Sequence, residues 1–277
     1  MDLLAFAGVV YAISAVAGFL GALTGLGGGV VVTPVLTIML GVDLHYAIGA
    51  TLVSVIATSS GAAAAYVREG YSNIRAGMFL EIATTLGAVF GAHLTAVIPG
   101  STLAVIFGAV LLYSAWHSVL KRKQLAAKPD MLAERLRLDS SYPSPAGAIA
   151  YSVSHVKAGF SLMFVAGLLS GLLGIGSGAM KVIAMDQVMR IPFKVSTTTS
   201  NFMIGVTAAA SAGVYLSRGY IDPVLAMPVM LGVLTGSIVG ARSLMGAHPR
   251  VLRLVFAAVV GLLAVEMIYN GFSGGIQ

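Results

Sequence analysis

The residues best equipped for chemistry in this sequence are few and unusually placed. Lys181 stands in the apolar run "GSGAMKVIAM", three residues past a glycine. Three glycines at alternate positions precede it, Gly174, Gly176 and Gly178. An earlier set, Gly25, Gly27 and Gly29 with Gly28 among them, interrupts the first apolar run in the same way. Hydroxyl and amide side chains follow each set: Thr51 and Ser54 after the first, and Thr198, Thr199, Ser200 and Asn201 after the second. Thr24 and Ser177 belong to the glycine stretches themselves. Backbone N–H groups at a helix start, a full positive charge and neutral donors form a set suited to an anion. Catalytic patterns are missing. There is no cysteine and no H-E-x-x-H, and the serine of "GIGSG" is displaced by one from a nucleophile elbow. "GLGGG" matches a dinucleotide fingerprint only in glycine count, without a strand–turn–helix unit or a downstream acid. The chain therefore reads as no enzyme, with no catalytic residue, no metal and no cofactor.

The elements that must position these residues are set by composition. Of 277 residues, 58% are hydrophobic and 9% charged, against roughly 45–50% and 25% in soluble domains. Apolar runs recur along the whole length, which marks a polytopic membrane protein in a lipid bilayer. The net charge of +6 is spread over short loops between those runs, a distribution that argues against a nucleic-acid partner. The N-terminal segment carries Asp2 and no basic stretch, and is expected to be a retained membrane segment rather than a cleaved signal.

The chain repeats itself. A shift of 149 positions, from Gly25 to Gly174, superposes the glycine sets and aligns Gly70-Tyr71 with Gly219-Tyr220. It also pairs Tyr66 with Tyr215, Met78 with Met227, Gly87 with Gly236, Gly91-Ala92 with Gly240-Ala241, and Phe107 with Phe256. So many shared glycines imply an internal duplication. The expected organisation is a first membrane repeat over 1–120, a basic cytoplasmic linker over 121–156, and a second membrane repeat over 157–277. The linker, with Lys121, Arg122, Lys123, Lys128, Arg135 and Arg137, reads as a solvated connector.

Apolar segments run over 3–24, 29–40, 46–67, 76–97 and 102–120, then 159–173, 178–189, 195–216, 224–245 and 250–270. A full crossing needs about 20 residues, so the segments after the glycine sets are too short for one. Each half is read as a helical hairpin with a glycine tip plus three transmembrane helices, the post-tip helices starting at Val30 and Ala179. With the linker inside, this parsing also puts Arg68, Arg75, Lys157, Arg190, Lys194, Arg242, Arg250 and Arg253 inside, as the positive-inside bias requires. Each half then crosses an odd number of times. The expected fold is an all-α polytopic membrane protein of two inverted repeats with both termini outside. In such folds interrupted helices meet near the midplane and face the substrate.

The segments "GLGGGVVVTPVL", "AIGATL", "GLLGIGSGAMKV" and "STTTSNFMIG", with the paired "GYSNIRAGM" and "GYIDPVLAM", resemble the TauE/SafE sulfite exporter family, also called the toluene sulfonate uptake permeases. The resemblance covers essentially the whole chain. It implies export or uptake of small sulfur-containing anions, such as sulfite or organosulfonates, across the plasma membrane. Where the family's first half often carries a basic residue after "GA", this chain has His93, while its second copy keeps Arg242; both are read as gating or secondary groups.

The substrate-binding set expected from the sequence is Thr24, Gly25, Gly27, Gly28, Gly29, Thr51, Ser54, Gly174, Gly176, Ser177, Gly178, Lys181, Thr199, Ser200 and Asn201. Lys181 has two readings: recognition of substrate charge, or a structural role by snorkelling or by an ion pair with Asp186. Glu81, Asp186 and Glu266 are read as interfacial ion pairs rather than proton carriers, although a carrier of this kind is compatible with proton coupling and with a homodimer. The reading is a small-anion transporter, an exporter by resemblance. An anion channel and an intramembrane enzyme or sensor are the alternatives.

Overall fold

In hydrocarbon each backbone N–H and C=O must be satisfied within its own segment, so each long apolar run becomes one helix. The computed structural model describes residues 3–24, 29–68, 70–119, 130–144, 147–243 and 249–273. The first half holds α1 (Leu3–Thr24), α2 (Gly29–Leu40), α3 (Leu44–Arg68), α4 (Ile74–Leu94) and α5 (Gly100–Val119). Between the halves lie α6 (Met131–Arg135) and a hairpin of β1 (Ser140–Ser144) and β2 (Gly147–Tyr151). The second half holds α7 (Val156–Leu173), α8 (Gly178–Ile183) continued by a π-helical turn (Ala184–Val188), α9 (Phe193–Ser217), α10 (Pro223–Ser243) and α11 (Pro249–Ser273). The post-tip helices thus begin at Gly29 and Gly178, one residue ahead of the sequence expectation.

The duplication is visible in the elements. α2 and α8, α3 and α9, α4 and α10, and α5 and α11 all start at positions related by the same shift. α3 and α9 are 25 residues each, and α4 and α10 are 21. The caps repeat too. Asn73 accepts from the Ala76 amide at 3.0 Å before α4, and Asp222 accepts from the Val224 amide at 2.9 Å before α10, each satisfying an N–H orphaned at a helix start.

The halves interlock by exchanging partners. α1 packs on α10, and α7 on α4. Glycine sets the closeness: a Cβ at Gly18, Gly232 or Gly236 would strike the backbone of α10 or α1, and one at Gly87, Gly91, Gly167 or Gly171 the backbone of α7 or α4. Small residues let membrane helices gain dispersion contact where no hydrophobic drive exists between them. α5 and α11 pack antiparallel, with Gly108 against Ala264 and Ile268, and Gly271 against Ser101 and Val105. α3 and α9 meet in the middle.

The outside of the bundle is apolar. Along α4, Ile74, Met78, Ile82, Leu86 and Phe90 recur every fourth residue and are all exposed, while Ala76, Leu80, Ala83 and Gly87 are buried. A soluble helix has the reverse pattern; exposed apolar stripes of this length mark a lipid-facing surface.

The linker departs from its expected role as a solvated connector. Residues 120–129 and 145–146 lie outside the described residues, but 130–144 and 147–156 are folded, and several of their apolar side chains are docked. Ala133, Leu138, Val153 and Val156 are buried in one cluster with Ala76 and Leu80 of α4, Met185 of the π turn and Val195 of α9. Asp130 caps two helices at once, its carboxylate accepting from the Leu132 and Val156 amides at 2.9 Å each. Those N–H groups, Val156 first, hold its carboxyl below the usual carboxylate range. The charged residues of this stretch obscure the apolar positions that dock it.

Candidate functional site

Gly29, the described member of the first glycine set, meets the second glycine tip beside α3. At Gly29, a Cβ would lie 2.7 Å from Thr51 Cγ2, 2.9 Å from Val55 Cγ2 and 3.6 Å from the Gly174 carbonyl oxygen. Gly174 and Gly176 have φ of +67° and +68°, a region that favours glycine. Their missing Cβ atoms make room for Ile48 of α3 and for Ile204 of α9 with Val55 of α3. These three glycines therefore serve close packing of the tips against α3 and α9. Gly25, Gly27 and Gly28 lie outside the described residues. Thr24 ends α1, and its side chain is outside them as well.

Beyond the second tip is the bundle's most unusual group. Lys181, on α8, is 0% exposed. Its Nζ donates to Thr207 Oγ1 on α9 at 2.5 Å, and Thr207 in turn donates to Glu81 Oε1 on α4 at 2.6 Å. Thr85 also donates to Glu81 Oε1, at 3.2 Å. Glu81 Oε2 is buried without a hydrogen-bond partner. Three helices from both halves are thus linked by a cation, a hydroxyl and a carboxylate. An ammonium costs several kcal/mol to bury unless compensated, and Glu81 is the compensation. This corrects two expectations. Lys181 turns to Thr207 and Glu81 rather than to its sequence neighbour Asp186. Glu81 is an interior group rather than an interfacial one. Asp186 instead lines, with Arg190, Asp139, Tyr142 and Tyr151, a cavity of about 550 Å³ between the hairpin and the π turn.

Neutral polar groups surround the tips. Thr51 and Thr33 Oγ1 atoms are 2.8 Å apart and buried. Ser54 bonds back to the Thr51 carbonyl of its own helix, as hydroxyls in helix interiors commonly do. Ser177, with φ of +44°, is buried and its Oγ makes no hydrogen bond. Ser200 donates to the Gly178 carbonyl at 3.2 Å, tying α9 to the start of α8. Thr199 accepts from the Asn73 amide at 3.0 Å and Thr198 donates to the Tyr71 carbonyl at 2.9 Å, so both clamp the α3–α4 turn. Asn201 is half-buried on α9. The structure thus brings Gly29, Thr51, Gly174 and Gly176 together, and joins Ser200 to Gly178; Thr199 and Thr198 face the linker side.

His93 and Arg242 occupy equivalent positions of the two halves. His93 is exposed, its Nδ1 2.8 Å from the Val89 carbonyl of its own helix. Arg242 lies in α10, its side chain outside the described residues. Three groups that the sequence reading did not single out carry structural weight. Arg218 donates to the Ala92 and His93 carbonyls at 2.9 and 3.2 Å, closing the C-terminal end of α4 from α9. Asn73 donates to the Leu138 carbonyl and the Tyr151 hydroxyl at 2.8 Å each, joining the linker to α4; burial pushes the Tyr151 phenol up. Thr207 bridges Lys181 and Glu81. The cap at Asn73 was readable from its place before an apolar helical run; the other two answer to partners far away in sequence.

A family model for the sulfite exporter TauE/SafE matches residues 10–267. The chain belongs to this family. Several curated relatives are similar along most of their length. A probable membrane transporter protein of Bacillus subtilis, YunE, is 26% identical over 270 residues, covering 95% of this chain and 97% of the relative. Another from that organism, YdhB, is 27% identical over 235 residues, covering 84% and 87%. One from Methanocaldococcus jannaschii, MJ0441, is 22% identical over 268 residues, covering 91% and 92%. No solved structure gives a significant match. The family and the apolar exterior together identify a membrane transporter.

Proposed function

We propose that this protein carries small sulfur-containing oxyanions, sulfite or organosulfonates, out of the cell across the plasma membrane, with Lys181 as the charge that recognises them. The observation that carries this reading is the fully buried ammonium of Lys181 beside the second glycine tip. A membrane-embedded lysine is costly and belongs to a cavity, a partner or a transported ion, and Val32 occupies the equivalent place in the first half. Thr33, Thr51 and Ser177 supply neutral hydroxyl groups around the tips, with Ser177 Oγ unengaged.

The repeats are read as inverted, over 1–120 and 157–277, with the 121–156 linker in the cytoplasm and both termini outside. Support comes from α5 and α11, equivalent helices that pack antiparallel. Two copies entering the membrane from the same face would run parallel there. Alternating access then amounts to one repeat rocking on the other around the tips.

Reconstitution tests the function. Proteoliposomes preloaded with unlabelled sulfite or an alkanesulfonate should take up the labelled anion by counterflow, saturably, with sulfate and acetate as competitors of graded strength. A flux linear in concentration would mean a channel, and no flux for any sulfur oxyanion would refute the substrate class.

A further inference from the structure

Glu81 does more than neutralise Lys181. We propose that it takes up a proton when the anion binds, so that protein, proton and substrate form one charge-balanced unit; this rests on the reading of Lys181 as the anion site. Lys181 and Glu81 already make a neutral pair through Thr207, with no solvent exposure at Lys181. An anion arriving at the ammonium adds one uncompensated negative charge in a medium of low dielectric, where like charges repel strongly. One proton on Glu81 restores neutrality.

The carboxylate is built to accept it. Oε1 is held by the hydroxyls of Thr207 and Thr85, while Oε2 is buried with no hydrogen-bond partner. A proton on Oε2 therefore breaks no bond now made, and Thr207 remains a donor to Oε1. Once Glu81 is neutral, the Lys181 charge is no longer offset and is available to the anion.

Other ionisable groups on the helices packed against α4 lie towards the helix ends. On α7 there is Lys157, exposed in the first turn; on α9 there are Lys194, exposed in the first turn, Tyr215 in the last turns, and Arg218 just beyond. On α4 itself Arg75 and His93 lie at opposite ends, both exposed. Asp186 faces the cavity beside the hairpin. Tyr215 donates to the Gly171 and Leu172 carbonyls, and Arg218 to the Ala92 and His93 carbonyls. Lys181 is the charged group that meets Glu81, through Thr207. Met230 stands at the equivalent position of the second half, so the device exists once per chain.

The test is calorimetric titration of the purified protein with sulfate, an alkanesulfonate and sulfite, each in two buffers of different ionisation enthalpy. Sulfate and alkanesulfonate keep their own charge fixed between about pH 5 and about pH 8, and the proton of free sulfite is subtracted. The expected result is uptake of close to one proton per singly charged anion, read on the alkanesulfonate, with affinity rising about tenfold per unit fall in pH while Glu81 is ionised; sulfate, a dianion left with one charge unbalanced, should bind more weakly. Glu81→Gln should bind the anion with the pH slope gone and no proton uptake, and Glu81→Asp should restore the slope. Binding by the native protein with no proton uptake overturns this inference and leaves the anion site standing, as does an unchanged slope in Glu81→Gln. Absence of binding to any of the three anions at every pH overturns both. Because uptake is read on the native protein, the result stands even where a variant fails to fold.

Discussion

Thr207→Val isolates the hydroxyl that joins Lys181 to Glu81. Valine keeps the β-branched shape and helix rotamer but removes one acceptor and one donor. The ammonium loses a bond of 2.5 Å and the carboxylate one of 2.6 Å. Hydrogen bonds to charged groups are worth about 1.5–3 kcal/mol each, and the groups left behind stay buried. Partial relaxation, with Thr85 still donating to Glu81, sets the expected loss at about 2–4 kcal/mol. The control is built into the duplication. Thr58 occupies the equivalent place on α3, and its hydroxyl donates to the Ser54 and Val55 carbonyls of its own helix at 3.0 and 3.2 Å. Thr58→Val should therefore cost less than about 1 kcal/mol. Thermal unfolding in detergent, followed by fluorescence-detected gel filtration, should show Thr207→Val melting several degrees below Thr58→Val. Equal melting temperatures for the two variants would refute the bridging role.

Other outcomes rest on the packing and the caps. Gly91→Ala puts a Cβ into the Leu168 carbonyl and should abolish folded protein, whereas Gly213→Ala, with open space around it, should be neutral or gain up to about 1 kcal/mol; the yield of monodisperse protein distinguishes them. Asp130 has a carboxyl held below its unfolded range, so its contribution is present above the unfolded value and disappears as pH falls through the folded one. Hydrogen exchange should accordingly show the Leu132 and Val156 amides protected at neutral pH and released as the pH falls through the lowered range of the folded carboxyl, and released at every pH in Asp130→Ala. The chain has no cysteine, so Ser273→Cys should react with an impermeant maleimide from outside and Ser152→Cys only from inside. Labelling of Ser273→Cys from the cytoplasm alone would contradict the inverted arrangement.

The helices were legible because hydrocarbon leaves the backbone few options. Apolar runs and glycine breaks place α1 and α2 at the residues where the structure has them, and the other helices of the two halves within a few positions; α6 and the hairpin have no such signal. Lys181 was legible for the same reason: a lone cation in an apolar run has to be accounted for. Its partner was not. Glu81 lies within two turns of the predicted start of its helix, and only the three-dimensional placement of α4 beside α9 takes it inside. Asp186, in the same apolar segment five positions on, offered a false pair. The docked linker was hidden by composition, since its buried Ala133, Leu138 and Val153 are scattered among charges with no period. Glycines mark the breaks in the sequence, but the packing role of Gly174 and Gly176 depends on Ile48 and Ile204, which only the fold brings beside them.

The central claim is that Lys181 recognises the anion, and anion binding to four proteins tests it most directly: native, Lys181→Arg, Lys181→Met and the double variant Lys181→Met with Glu81→Gln. Titration with sulfite and an alkanesulfonate at a pH where the native protein binds should show at least a tenfold loss in Lys181→Met, about 1.4 kcal/mol. Lys181→Arg should retain part of the affinity, since the charge survives with altered donor geometry. The double variant has its buried charges balanced again, and it should regain stability while remaining unable to bind. Native affinity in the double variant would mean that the lysine only neutralises Glu81, and the anion site would have to lie elsewhere.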